Sequence, residues 1–204
     1  MTHFDPTPTD TLLDARNRYF TVNGFGPTGG YGDKWVDFKL GPIPMPFPNS
    51  QSRIRAVRFH DLHHVLTGYE TDTYGEFEIS AWELGSGCAD HVAAWQLNLG
   101  GMFAGAMVIP RRTWRAFVRG RHSRNLYRRD YDDGLLGRHV DEMKRELDLD
   151  REHRGTLADA ALFAASLAAG LVVGGLFTIF FVPAAIVGNA VAYSARRRAA
   201  KPAG

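Results

Sequence analysis

Cysteine is almost missing from this chain: 204 residues contain only Cys88. That excludes an intramolecular disulfide framework and a zinc cluster built on thiolates. Cys88 sits among small residues, where a thiol is expected to act as a small buried hydrophobe rather than a nucleophile. Met1 to Asp14 holds acidic residues and no apolar run, so neither a secretory signal nor an Arg-rich transit peptide is expected, and the main domain reads as cytosolic, of bacterial type. Charge of one sign is also scarce overall: a net +2 makes no case for nucleic acid as a partner. The length suits one domain with a real core plus an appendage.

What the chain does have is histidine beside acid. His60-Asp61-Leu62-His63-His64 is followed, eleven residues later, by Glu76. The spacing predicts a helix over Gln51 to Thr67: Asn49, Ser50 and Ser52 offer caps, no Pro or Gly intervenes, and Gly68 follows as a stop. With Val57 as reference, a turn of roughly 100° per residue puts Asp61 about 40° to one side, His64 about 20° to the other and His60 about 60°. These three share a face flanked by Ile54 and Val65, whereas Arg58 and His63 turn away, so the trio is expected to face the interior. A second helix is expected from Thr71 or Asp72 through Leu84, folding back to bring Glu76 against the first. Two imidazoles and two carboxylates form a mixed set for Zn²⁺, Fe²⁺ or Mn²⁺, with Zn²⁺ the first choice, and a His/carboxylate site with room for water is more often catalytic than structural. The competing reading is a pair of buried histidines satisfied by carboxylates.

The string from Phe59 to Tyr69, then Gly75-Glu76, resembles the ubiquinone biosynthesis protein four (Coq-four) family, whose signature is HDxxH, eleven residues, then E. His60, Asp61, His64 and Glu76 fall on that pattern, and a looser likeness runs over Arg53 to about Leu149. The resemblance implies a mainly helical protein that associates peripherally with membranes, binds a polyprenyl lipid in an apolar tunnel and uses a divalent metal. It implies C1 decarboxylation of a polyprenyl-hydroxybenzoate intermediate, with hydroxyl replacing the carboxyl. A scaffold that presents such lipids to other quinone-biosynthesis enzymes is the alternative. No catalytic residue beyond the metal ligands is singled out: Asp72, Glu78 and Glu83 are near in sequence and nothing chooses among them.

Two rival metal motifs fall short. His60, His63 and His64 spell the HxxHH of membrane di-iron enzymes, but that class needs several such boxes, and the other histidines are isolated. His60-Asp61 as the doublet of an HD-type phosphohydrolase needs an upstream His on a helix, and only His3 precedes it. Gly24-Phe25-Gly26-Pro27-Thr28-Gly29 reads GxGxxG without a following βαβ unit, so no dinucleotide site is expected. The prolines at 42, 44, 46 and 48 suggest an extended strap without regular pairing, and Thr11 to Val22 a short helix after a disordered tail over residues 1–10.

Residues 81–106 are rich in small side chains, and Trp82, Trp95, Leu97, Leu99, Met102, Phe103 and Met107 read either as core or as the lining of a lipid tunnel. Between Arg111 and Arg129 lie eight arginines, no acid, and Trp114, Phe117 and Tyr127: the composition of an interfacial helix on anionic lipid, or of a solvated face answered by Asp130, Asp132 and Asp133. From Leu157 to Tyr193 the chain is nearly free of charge, with Arg196-Arg197-Arg198 beyond. It reads as one tilted span kinked at Pro183, as a hairpin turning at Gly174-Gly175, or as a buried helix pair; the arginines favour a hairpin, with the main domain on the cytoplasmic side. The expectation is therefore an all-α helical bundle over residues 11–150 carrying a metal site, with a hydrophobic hairpin over 157–195 as membrane anchor.

Overall fold

The computed structural model describes residues 4, 6–7, 9–36, 39–40, 43–44 and 47–176. Among them are eight helices and four strands of two residues each. The helices are α1 (Leu12–Asn23), α2 (Gln51–Thr67), α3 (Thr73–Ser86), α4 (Val92–Val108), α5 (Pro110–Arg121), α6 (Asp133–Leu136), α7 (Val140–Glu146) and α8 (Leu157–Leu176).

The helix boundaries follow from local chemistry. Thr11, Ser50 and Asp72 cap α1, α2 and α3 by accepting backbone N–H bonds from Asp14, Arg53 and Gly75. Gly24 and Gly68 end α1 and α2 in the left-handed region, where a Cβ would be strained. Pro110 opens α5 where its missing N–H costs nothing.

The proline-rich stretch departs from expectation, since it does pair. β1 (Trp35–Val36) runs antiparallel to β4 (Phe47–Pro48), and β2 (Lys39–Leu40) to β3 (Ile43–Pro44). Two-stranded ribbons are all edge, so a proline nitrogen turned away from the partner removes no ladder bond.

Helix α2 runs through the middle of the bundle, with every residue from Asp61 to Thr67 buried. Beside it, α3 crosses α5 at backbone contact. A Cβ on Gly85 would meet the Phe117 carbonyl, and one on Gly120 the Trp82 carbonyl. The small residues after Glu76 thus serve close approach. Trp82 and Met102 are core, whereas Trp95, Leu97 and Met107 are exposed among the described residues.

The apolar helix α8 starts with a reciprocal cap between Thr156 and Asp159. Asp159 also accepts from Arg121 Nε (3.3 Å) and His122 Nε2 (3.0 Å) at the end of α5. Phe163 meets Trp114 and Phe117 edge-on, and Gly170 lies against the Leu99 carbonyl of α4. Beyond these anchors α8 is bare among the described residues: its apolar window is only 11% buried, unlike the core helix of a soluble bundle. The helix continues through Gly174 and Gly175 to Leu176, so no turn falls at that glycine pair. The second arm of the expected hairpin, residues 177–193, lies outside the described residues, as do Pro183 and Arg196 to Arg198.

Candidate metal centre

Helices α2 and α3 meet across the five residues from Gly68 to Asp72. Glu76 of α3 faces His60 and His64 of α2, and Glu83 faces His60 and His63. Three ligand atoms converge there. His60 Nε2 and His64 Nε2 are 3.1 Å apart, His64 Nε2 is 3.3 Å from Glu76 Oε1, and His60 Nε2 is 3.4 Å from Glu76 Oε2. Two ligands at about 2.05 Å from a tetrahedral zinc stand roughly 3.3 Å apart. The two histidine nitrogens stand at about that spacing, each faces one oxygen of the Glu76 carboxylate, and one ligand atom from each residue lies within 4.8 Å of the others, so His60, His64 and Glu76 form a group that could hold a metal ion.

The other ring nitrogens decide the tautomers. His64 Nδ1 is 2.8 Å from the Tyr69 carbonyl, which only accepts, so Nδ1 carries the hydrogen and Nε2 presents a lone pair. His60 Nδ1 faces Glu83 Oε1 at 3.0 Å with the same result. Two lone pairs and a carboxylate aimed at one point repel unless a cation, or a proton, sits between them. Burial disfavours the charged form of His60, but the charges and bonds of Glu83 and Glu76 outweigh it and raise its pKa well above the usual imidazole value. Burial likewise opposes the Glu76 carboxylate, and its bonds to His60 and His64 overcome it, holding Glu76 well below the usual carboxylate range. These groups attract a proton, which a bound metal would displace.

Glu83 is the residue that sequence reasoning left unassigned. It is fully buried, and its carboxylate accepts four bonds: Oε1 from His60 Nδ1 and His63 Nδ1 (2.7 Å), Oε2 from Tyr127 Oη (2.7 Å) and Asn98 Nδ2 (2.5 Å). Burial works against its charge, but the histidines hold it well below the usual range. An anion so saturated orients the imidazole of a metal ligand. The signal was present: Glu76 and Glu83 are seven apart, two helical turns, and so on one face of α3.

His63 corrects the facing argument. It was expected to turn away from the interior, yet it is fully buried, edge-on to Trp82 and Tyr127, with Nε2 accepting from the Leu126 amide at 3.0 Å. From Asp61 to Thr67 α2 is buried all round, so that half of the helix has no outward face to find. Desolvation holds His63 neutral, its pKa lowered.

Asp61 does not join the three converging ligands. Its Oδ2 accepts from Tyr31 Oη at 2.6 Å, and burial raises its pKa despite that bond. Cys88 is fully buried, donating to the Glu83 carbonyl, with its thiol pushed up to about 12 by burial and by the Glu83 charge. Among the described residues four of the eight arginines of the stretch pair with carboxylates, none of them Asp130, Asp132 or Asp133. Arg112 pairs with Glu78, Arg121 with Asp159, Arg124 with Asp148 and Arg129 with Glu146. Arg119 donates to the carbonyls of Thr67 and Leu149.

Known proteins do not decide between chemistries. No family model, curated protein or solved structure matches this chain.

Proposed function

We propose that this protein is a membrane-attached, metal-dependent enzyme acting on the polar head of a polyprenyl lipid. The observation that carries the reading is the convergence of His60 Nε2, His64 Nε2 and the Glu76 carboxylate within 4.8 Å of one another, with the histidine tautomers fixed from behind. Three protein ligands leave at least one coordination position free, the mark of a catalytic rather than a structural site. The Glu76 side chain is 44% exposed, so solvent reaches the group. The donor set fits Zn²⁺, with Fe²⁺ and Mn²⁺ admitted by the same ligands.

The likeness of His60-Asp61-x-x-His64 and Glu76 to the Coq-four signature supports a polyprenyl-hydroxybenzoate as substrate and C1 decarboxylation with hydroxylation as the reaction, an oxidant such as dioxygen being required. A bound metal would supply Lewis-acid stabilisation of charge on the ring oxygens. Glu83 holds the His60 imidazole in place, and Tyr127 and Asn98 complete the carboxylate's shell so that it stays ionised in a dry interior. The apolar length of α8, about 30 Å at 1.5 Å per residue, supports attachment to a bilayer.

The test is purification of the full chain in detergent, with elemental analysis, mass spectrometry of extracted lipid and an assay on a polyprenyl-hydroxybenzoate. Glu76→Gln is expected to lower metal content at least tenfold and abolish turnover. Decarboxylation that persists without metal would sink the enzyme reading; retained lipid with no turnover in any metal form would leave the scaffold.

A further inference from the structure

Helix α8 is long and apolar enough to cross a bilayer, yet its contacts hold it along the bundle. Its shielded positions recur every three or four residues: Asp159, Phe163, Ser166, Leu167, Gly170 and Val173. The two ends of that stripe lie on different helices. Asp159 is held at the end of α5 by Arg121 and His122, Phe163 packs on Trp114 and Phe117, and Gly170 lies against the Leu99 carbonyl of α4. On the opposite side Ala161, Ala165, Ala168 and Val172 are exposed.

Upright in a membrane, α8 would carry the bundle in with it. At 1.5 Å per residue, Phe163 lies about 9 Å and Gly170 about 20 Å along the axis from Leu157. With Leu157 at the headgroups, the Leu99 turn of α4 would sit past the middle of a hydrocarbon core roughly 30 Å thick. Arg111 and Arg115 of α5 would follow. Both are exposed, and among the described residues neither pairs with a carboxylate. Such side chains are expensive inside hydrocarbon. Laid flat, the same surface suits a bilayer. The bare side of α8 meets lipid, joined by Met107, which is 68% exposed and roughly 80° round α4 from the Leu99 contact. Arg111 and Arg115 stand roughly 60° and 100° round α5 from Trp114, on the flank beside α8, within reach of headgroup phosphates.

We propose that α8 is an in-plane anchor: it stays docked on α4 and α5, its outer face enters one leaflet of an anionic bilayer without crossing it, and Arg111 and Arg115 meet the headgroups. Apolar helix faces flanked by basic residues lie in this way at the boundary of headgroups and acyl chains. The segment falls beyond Arg53 to about Leu149, over which the Coq-four likeness runs, so its placement is read from its own contacts. The inference rests on the reading of the protein as membrane-attached and on none of the metal chemistry.

The test uses the full chain on vesicles of phosphatidylcholine with and without phosphatidylglycerol. Nitroxide labels are placed singly at Ala161→Cys and Val172→Cys, both exposed and opposite the docked stripe, while fully buried Cys88 takes no label. Oxygen and a nickel chelate, which partition oppositely with depth, are expected to report one depth for both labels, against a difference of about 17 Å for an upright helix. Arg111→Gln with Arg115→Gln is expected to weaken binding to the anionic vesicles at least fivefold. The corresponding pair of lysine substitutions keeps the charge and is expected to bind as the parent does. Labels at the upright separation would overturn the in-plane anchor and leave attachment standing. Labels left in water on vesicles that carry the protein would overturn it too, assigning attachment to the chain beyond α8. Labels shielded from both probes, with dipolar broadening between copies, would give the face to a second copy of this chain. Binding indifferent to anionic lipid and to the two arginines would refute the headgroup contact. Vesicles that carry no protein would sink attachment itself, and elemental analysis of the same sample separates that result from a failure of the metal centre.

Discussion

Glu83 does the most with one side chain. Its four donors come from α2, α4 and the segment after α5, so one carboxylate ties three parts of the chain to one tautomer of His60. Glu83→Gln replaces an acceptor pair with an amide that has one acceptor and two donors, leaving donors facing donors. Metal affinity is expected to fall about 10- to 100-fold, the usual cost of losing an outer-shell partner. Stability is expected to fall by about 3 kcal/mol, as for breaking a buried charged network. Visible absorption during Co²⁺ titration and urea unfolding measure the two. A drop in stability with unchanged cobalt affinity would show that Glu83 supports the fold and not the metal. The ligand spacing was legible because His60, His64 and Glu76 are close in sequence and their helices are capped by recognisable residues. Glu83 was less so: its importance depends on Tyr127 and Asn98, whose approach no local pattern encodes.

At the level of helices, the crossing of α3 and α5 depends on glycine. Gly85 and Gly120 each face a carbonyl of the opposite helix at a distance that no Cβ fits. Gly120→Val must push the helices apart or strain both, and overpacking of this kind costs about 1–3 kcal/mol or more against backbone that cannot yield. A fall of at least 5 °C in thermal midpoint by circular dichroism is the expected result; an unchanged midpoint would mean that α5 moves freely over α3. Alanine and glycine in this stretch read from sequence either as close packing or as room for a ligand. Only the partner helix settled that. The limits of α1, α2 and α3 were readable to within about a residue or two from their caps and glycines, whereas the paired prolines of the strap were not, because two-residue ribbons leave no alternation to see.

Taken whole, the molecule gathers exposed apolar surface on one pair of helices. Val92, Leu97, Met107 and Val108 of α4 are more than half exposed, as are Leu171, Val172 and Leu176 of α8, which crosses α4 at Gly170. Patches of this extent mark contact with lipid or protein. Met107→Glu together with Val108→Lys is expected to reduce flotation with lipid vesicles at least twofold without altering the metal site, read by cobalt absorption; undiminished flotation would assign membrane attachment to α8 and the chain beyond it. The apolar run of α8 was plain in the sequence, but the bareness of α4 was not, since its composition equally suits a core helix. A different kind of dependence lies in the amide of Leu126. Its hydrogen bond to His63 Nε2 fixes which nitrogen of His63 carries the hydrogen, and His63 gives that hydrogen to Glu83. The peptide plane that sets this protonation pattern lies 50 residues after the last ligand. A fragment ending with α3 would contain His60, His64, Glu76 and Glu83 and still lack Asn98, Leu126 and Tyr127, which hold Glu83 and His63 in place, so the network behind the centre is complete only when the chain has closed around it.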